Sequence, residues 1–168
     1  KRGAEAEKAW AVAVARFPGH NGLAFDLAAA RDRIGDVAGA GSAVRDVLQR
    51  EPDNPAALNF LGYLWADHSR NLDESVDMIS RALAQDPDNG AYIDSLGWAY
   101  YRQGRLADAR VLLERAARLT HGDPVVLEHL GDVYNDMRLH DLAREQYRLC
   151  LAADPGNTRV HAKLDALR

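Results

Sequence analysis

Three features of this 168-residue chain predict an all-α fold built as a stack of helical hairpins. Pro18, Pro52, Pro87 and Pro155 are separated by 34, 35 and 68 residues, and His121 occupies the skipped node. Leu61-Gly62, Leu96-Gly97 and Leu130-Gly131 keep the same period, with Leu27-Ala28 one step earlier. The apolar residues recur at helical spacing, with no stretch of β-type alternation. A fixed period of roughly 34 residues is the mark of a repeat array, which presents surface more readily than it encloses a catalytic pocket.

The elements follow in order. Residues 1–20 read as a half-unit, because Ala6, Trp10, Ala13 and Pro18 match only the second helix of a hairpin. An orphan second helix exposes apolar surface, so the expectation is a C-terminal piece of a longer array, truncated upstream. Four units follow, 21–54, 55–89, 90–123 and 124–157. In the third, Ile93, Leu96 and Tyr100 share one face of a first helix. Gly104 interrupts it where a helix end favours positive φ, and Leu106, Ala109, Leu112, Leu113 and Ala116 stripe a second helix. Leu58, Leu61 and Trp65 open the second unit, and Leu127, Leu130 and Tyr134 open the fourth. The first unit is a weaker copy, with Ala24, Leu27 and Arg31. Asn54-Pro55 and Asp123-Pro124 set a capping side chain before a proline at the first helical position. Residues 158–168 read as a capping helix, with Val160, Leu164 and Leu167 on one face and Arg159, Lys163 and Asp165 polar.

Small residues recur in pairs: Gly62 with Ser75, Gly97 with Ala109, Gly131 with Ala143, Ala28 with Ala40. Mid-helix glycine costs about 1 kcal/mol relative to alanine, so its recurrence predicts close contact between the two helices of a hairpin.

The ordered recurrence of Leu-Gly, aromatic, Ala, aromatic or aliphatic, Ala and Pro resembles the tetratricopeptide repeat (TPR). That resemblance implies a right-handed α-solenoid of TPR helix-turn-helix hairpins. It also implies a non-enzymatic protein-protein interaction scaffold whose first helices line a concave groove for an extended or helical peptide. The stretch from Asn59 to Tyr101 is further similar to a group of bacterial repeat proteins, some exported or lipid-anchored. The compartments this leaves open are the bacterial cytoplasm and periplasm.

Register carries the groove onto Asn59, Tyr63 and Asp67, then Asp94, Trp98, Tyr101 and Arg102, then Glu128, Asp132, Asn135 and Asp136. Tyr63, Trp98 and Tyr101 form an expected accessible aromatic cluster that would anchor the ligand. The acids at 67, 94, 128, 132 and 136 would select a basic or amphipathic segment and speed its arrival. The alternatives are aromatics packed within the array and acids forming only a solvated face. The carboxylate grip of co-chaperones in this family is disfavoured: its inward positions here hold Phe25, Asn59, Asp94 and Glu128, then Ala29, Tyr63, Trp98 and Asp132, and only Asn59 fits. The competing reading is a structural spacer or self-association unit that uses the N-terminal half-unit.

Composition excludes several classes. The hydrophobic fraction of 47% is too high for a disordered chain, and no run is apolar enough to span a bilayer. A net charge of −4 with no basic run argues against nucleic acid. Cys150 is the single cysteine and replaces a packing alanine, which makes it a small buried hydrophobe. Six scattered histidines form no nucleophilic arrangement, and no cofactor is implied. His129, Asp132 and Asp136 could share a helix face as metal ligands, but nothing completes the set. Gly39-Ala40-Gly41 follows no strand and is not a phosphate loop.

Overall fold

The computed structural model describes residues 2–167, which form ten helices and no strand. The helices are α1 (Arg2–Arg16), α2 (Asn21–Arg33), α3 (Val37–Arg50), α4 (Pro55–Asp67), α5 (Leu72–Gln85), α6 (Gly90–Arg102), α7 (Leu106–Leu119), α8 (Pro124–Asp136), α9 (His140–Ala153) and α10 (Thr158–Ala166). The chain divides into two compact units, 1–82 and 83–168, with the division falling inside α5.

Local chemistry sets the helix ends. Asn54 accepts a hydrogen bond from the Ala57 N–H ahead of Pro55, and Asp123 accepts from Val125 ahead of Pro124. Asn89 and Asn157 cap α6 and α10 in the same way. Each such cap contributes about 1 kcal/mol by occupying an N–H that the helix leaves unpaired. The turn inside each hairpin is also one device repeated. A positive-φ residue occurs at Gly35, Ser69, Gly104 and Arg138. The N–H that follows each of them returns to a carbonyl five positions back, as in Arg105 to Tyr100 at 2.9 Å and Leu139 to Tyr134 at 2.8 Å. This closure satisfies helix-end carbonyls and needs the left-handed conformation that glycine adopts most readily.

In unit 1, α2 and α3 pack as a hairpin, with α1 against α2 and α4 against α3. The core there centres on Leu27, Val44, Val47 and Leu61, with Trp10, Phe25 and Trp65 packed around it. In unit 2, α6 pairs with α7 and α8 with α9, and α10 lies on α9. Leu113, Leu130, Val133, Tyr147 and Val160 form its main core. Burying an aliphatic side chain of this size stabilises by roughly 1.5–3 kcal/mol.

The glycines do sit at close approaches, but against different atoms from those expected. A Cβ at Gly62 would lie 2.6 Å from the Ile79 side chain and 3.0 Å from the Ser75 carbonyl oxygen. At Gly97 it would lie 2.8 Å from Leu113, and at Gly131 it would enter the Tyr147 ring. Ala109 and Ala143 are buried, yet the large residue one turn later fills the space each glycine leaves. Helical side chains lean toward the N-terminus, so a longer side chain from the next turn covers that spot. Ser75 does meet its expected partner, and its Oγ donates to the Gly62 carbonyl at 2.6 Å.

Candidate functional site

The residues placed in the groove by register divide between the two units. In unit 1, Asn59, Tyr63 and Asp67 lie on α4 and are partly buried. The Asn59 Oδ1 is buried without a hydrogen-bond partner. Beside it the first-helix face is apolar, because Phe25 of α2 stacks on Phe60 of α4 at 5.9 Å. His68 Nε2 lies 2.7 Å from Asp32 Oδ1, joining the ends of those two helices.

Unit 2 overturns two expectations. Trp98 is 7% exposed and is not an accessible anchor. Its indole stacks on His129 at 4.1 Å and on Tyr101 at 4.9 Å, and the Arg102 guanidinium lies 5.5 Å over the ring. The register that turns Trp98 inward also sets it against the next first helix. Tyr101 remains partly exposed, and Tyr63 belongs to the other unit.

The acids are likewise not an open negative face. Asp94 is 6% exposed and lies 2.9 Å from His129 Nδ1. Glu128 is 2% exposed and accepts from Lys163 Nζ at 2.7 Å and from Arg159 at 2.8 Å. Asp132 accepts from Lys163 at 2.6 Å and from the Tyr147 hydroxyl at 2.7 Å. Asp136 is exposed and accepts from the Tyr101 hydroxyl at 2.8 Å. Asp94–His129, Tyr101–Asp136 and Glu128–Lys163 each join residues 35 positions apart, so they act as rungs between consecutive first helices. Desolvation makes an unpaired buried carboxylate expensive, and the stacking supplies each acid with a partner.

Protonation equilibria follow this pairing. Burial alone would raise the Glu128 carboxyl, but hydrogen bonds from Arg159 and Lys163 outweigh it and hold its pKa below the ordinary value. Burial, then the Asp136 carboxylate, pushes the Tyr101 hydroxyl up. Burial pushes Tyr147 up as well, reinforced by Asp132. Tyr134 is raised to about 12 by burial and by its hydrogen bond to Glu114. The Cys150 thiol is buried and raised by desolvation, so it behaves as a packing group.

Tyr101, Asp132, Asn135, Asp136, Tyr147 and Lys163 converge on a pocket of about 570 Å³. Lys163, Arg159 and Tyr147 had no place in the sequence-derived site. Opposite charges 35 positions apart were the available signal for Lys163, but a capping helix and a core tyrosine explained these residues without it. His129, Asp132 and Asp136 turn to different partners, and among the described residues no group of three or more His, Cys, Asp or Glu could hold a metal ion.

These features define the class of protein: an all-α helical repeat of the solenoid type. Family profiles described as Tetratricopeptide repeat match residues 26–90, 68–130 and 126–157, and the chain belongs to that family. It is 37% identical over 129 residues to the TPR repeat-containing protein PA4667 of Pseudomonas aeruginosa, covering 75% of this chain and 22% of that protein. The chain thus spans under a quarter of that bacterial relative's length. Among solved structures, the thermophilic TPR protein TTC0263 of Thermus thermophilus superposes with a TM-score of 0.86 at 19% identity, covering 99% of this chain and 90% of that one. A chain of the APC/C hetero-tetramer Cut9-Hcn1 gives 0.86 at 15% identity, over 99% of this chain and 33% of that one. The first TPR of Spaghetti (RPAP3), bound to an HSP90 peptide, gives 0.62 at 19% identity, over 67% and 89%. At these identities the likeness is one of fold. No helix among the described residues is long and apolar enough to cross a membrane.

Proposed function

We propose that this chain is a non-enzymatic scaffold that takes a peptide or partner segment on its first-helix face. One observation supports the reading above others: Tyr101, Asp132, Asn135 and Asp136, all chosen by register, line a single pocket in unit 2. Internal pairing changes how that surface would discriminate. Asp94 and Glu128 are buried and occupied, so the basic group of a ligand would meet the exposed Asp136 beside Tyr101. An amphipathic segment with one basic residue fits this better than a polybasic one. An aromatic contact can contribute about 2 kcal/mol, while an exposed ion pair adds at most about 1 kcal/mol.

Selecting peptides from a random display library against the chain, with counter-selection on Tyr101→Ala/Asp136→Ala, tests this. Enrichment of amphipathic sequences carrying a basic residue, lost on the variant, is the expected result. Peptides that bind both proteins alike would remove this face from consideration.

A second reading, self-association through the N-terminal half-unit, is favoured by the exposure of Val12 at 70% and Phe17 at 54%. Sedimentation at rising concentration is then expected to show dimers that Val12→Asp abolishes. A chain monomeric throughout would exclude it.

A further inference from the structure

We propose that the hollow bounded by α1, α2 and α3 is a socket for an aromatic side chain, Trp or Tyr, of a partner polypeptide. The hollow lies within unit 1, measures about 460 Å³, and has Ala11, Val14, Ala24, Leu27, Arg31 and Ala43 in its lining. That volume lies in the roughly 300–1,000 Å³ range of ligand pockets. It is separate from the Tyr101 pocket, which belongs wholly to unit 2.

The repeat period explains why it is hollow. Ala24 stands where the other units carry Leu58, Ile93 and Leu127. Ala43 stands where they carry Met78, Leu112 and Gln146, and Arg31 where they carry Trp65, Tyr100 and Tyr134. Apart from the partly exposed Gln146, those larger residues are buried or packed against a core, with Leu58, Ile93 and Tyr134 among the buried ones. Three substitutions toward smaller or polar side chains thus coincide at one spot and remove a ring and two aliphatic side chains.

Arg31 lines one side of the vacated space and is a quarter exposed. Its Nε donates to Glu7 at 3.1 Å and its Nη1 to the Gly39 carbonyl at 3.2 Å, which holds the guanidinium against α1 and α3. The floor stays apolar, with Ala24 and Leu27 under a tenth exposed, while Asp46, Gln49 and Arg50 give the mouth a polar edge. An apolar floor with a polar rim suits a ring that has one wet end, as Trp and Tyr do. The sister units supply the shape argument, since each places an aromatic ring at the Arg31 position.

Titrating the whole chain with indole and with p-cresol, while following the Val14 and Leu27 methyl resonances, tests the socket. Saturable shifts with Kd on the order of 1 mM are expected, weakened about tenfold or more in Ala24→Leu/Ala43→Met. Arg31→Tyr, which restores the sister units' ring, is expected to weaken binding in the same way, so the test survives an unstable double variant. No saturable shift in the native chain, or a shift unchanged in a folded filled variant, overturns the proposal. Equal shifts at Leu167, which lines the other pocket, overturn it too, because the ring would then bind without preference.

Discussion

Asp94 and His129 lie 35 positions apart in sequence and 2.9 Å apart in space, each under a tenth exposed. They join α6 to α8 side chain to side chain, beneath the stacked Trp98 ring. A buried carboxylate left without its partner keeps its desolvation cost, so Asp94→Ala should be tolerated better in a His129→Ala background than alone. Each single variant is expected to lose about 2–3 kcal/mol of stability in urea, with a coupling of about 1 kcal/mol or more from the double-mutant cycle. Additive losses would mean the two groups do not sense one another.

Trp98→Ala should behave as a core deletion. Its burial and its stacking on two rings predict a loss of about 3–5 kcal/mol in global stability, read by chemical denaturation. Lost partner binding in this variant would therefore say little about the groove. Tyr101→Ala, at a partly exposed position, separates the two effects.

Glu128 ties α8 to α10 and makes that junction acid-sensitive. Its pKa in the folded chain is lowered, so its contribution is fully present above the unfolded value, about 4.3, and is lost as pH falls through the lower folded value. Protection of the α10 amides, taken relative to intrinsic exchange at each pH, should fall in that acid range, and Glu128→Gln should flatten the response. At neutral pH the same variant is expected to cost about 2 kcal/mol, the scale of hydrogen bonds to a charged group.

Gly131→Ala has two opposed terms. Alanine gains about 1 kcal/mol of helix propensity, but the new Cβ would enter the Tyr147 ring. That ring is 2% exposed and its hydroxyl is held by Asp132, so it cannot withdraw without breaking a bond. Overpacking of this kind costs about 1–3 kcal/mol, and net destabilisation is expected in thermal melts.

Arg138→Gly should act in the other direction. Arg138 has φ of 62°, in the turn position that Gly35 and Gly104 fill elsewhere. Relief of left-handed strain, about 1–2 kcal/mol, exceeds the added chain entropy of about 0.5–1 kcal/mol, so a gain of a few tenths to about 1 kcal/mol is expected. A lower melting temperature would contradict this account of the turn.

Period, helix order and turn chemistry were legible in the chain because each depends on neighbours a few residues away. Asn54-Pro55 signals a helix start and Gly104 a helix end through local hydrogen bonding and allowed φ alone. The Leu-Gly pairs marked close helix contacts, yet they did not reveal that Ile79, Leu113 and Tyr147 fill the spaces, since side-chain lean is settled only when helices dock. The weak first unit was likewise visible as Ala24 and Arg31, but the hollow there needed the packing of α1, α2 and α3. Exposure at the groove was decided wholly by tertiary structure. The sequence by itself placed Trp98, Asp94 and Glu128 on inward helix faces. Only the apposition of α8 and α10 determined that His129, Arg159 and Lys163 would occupy them, because burial and charge pairing depend on what arrives from 31 to 35 residues away.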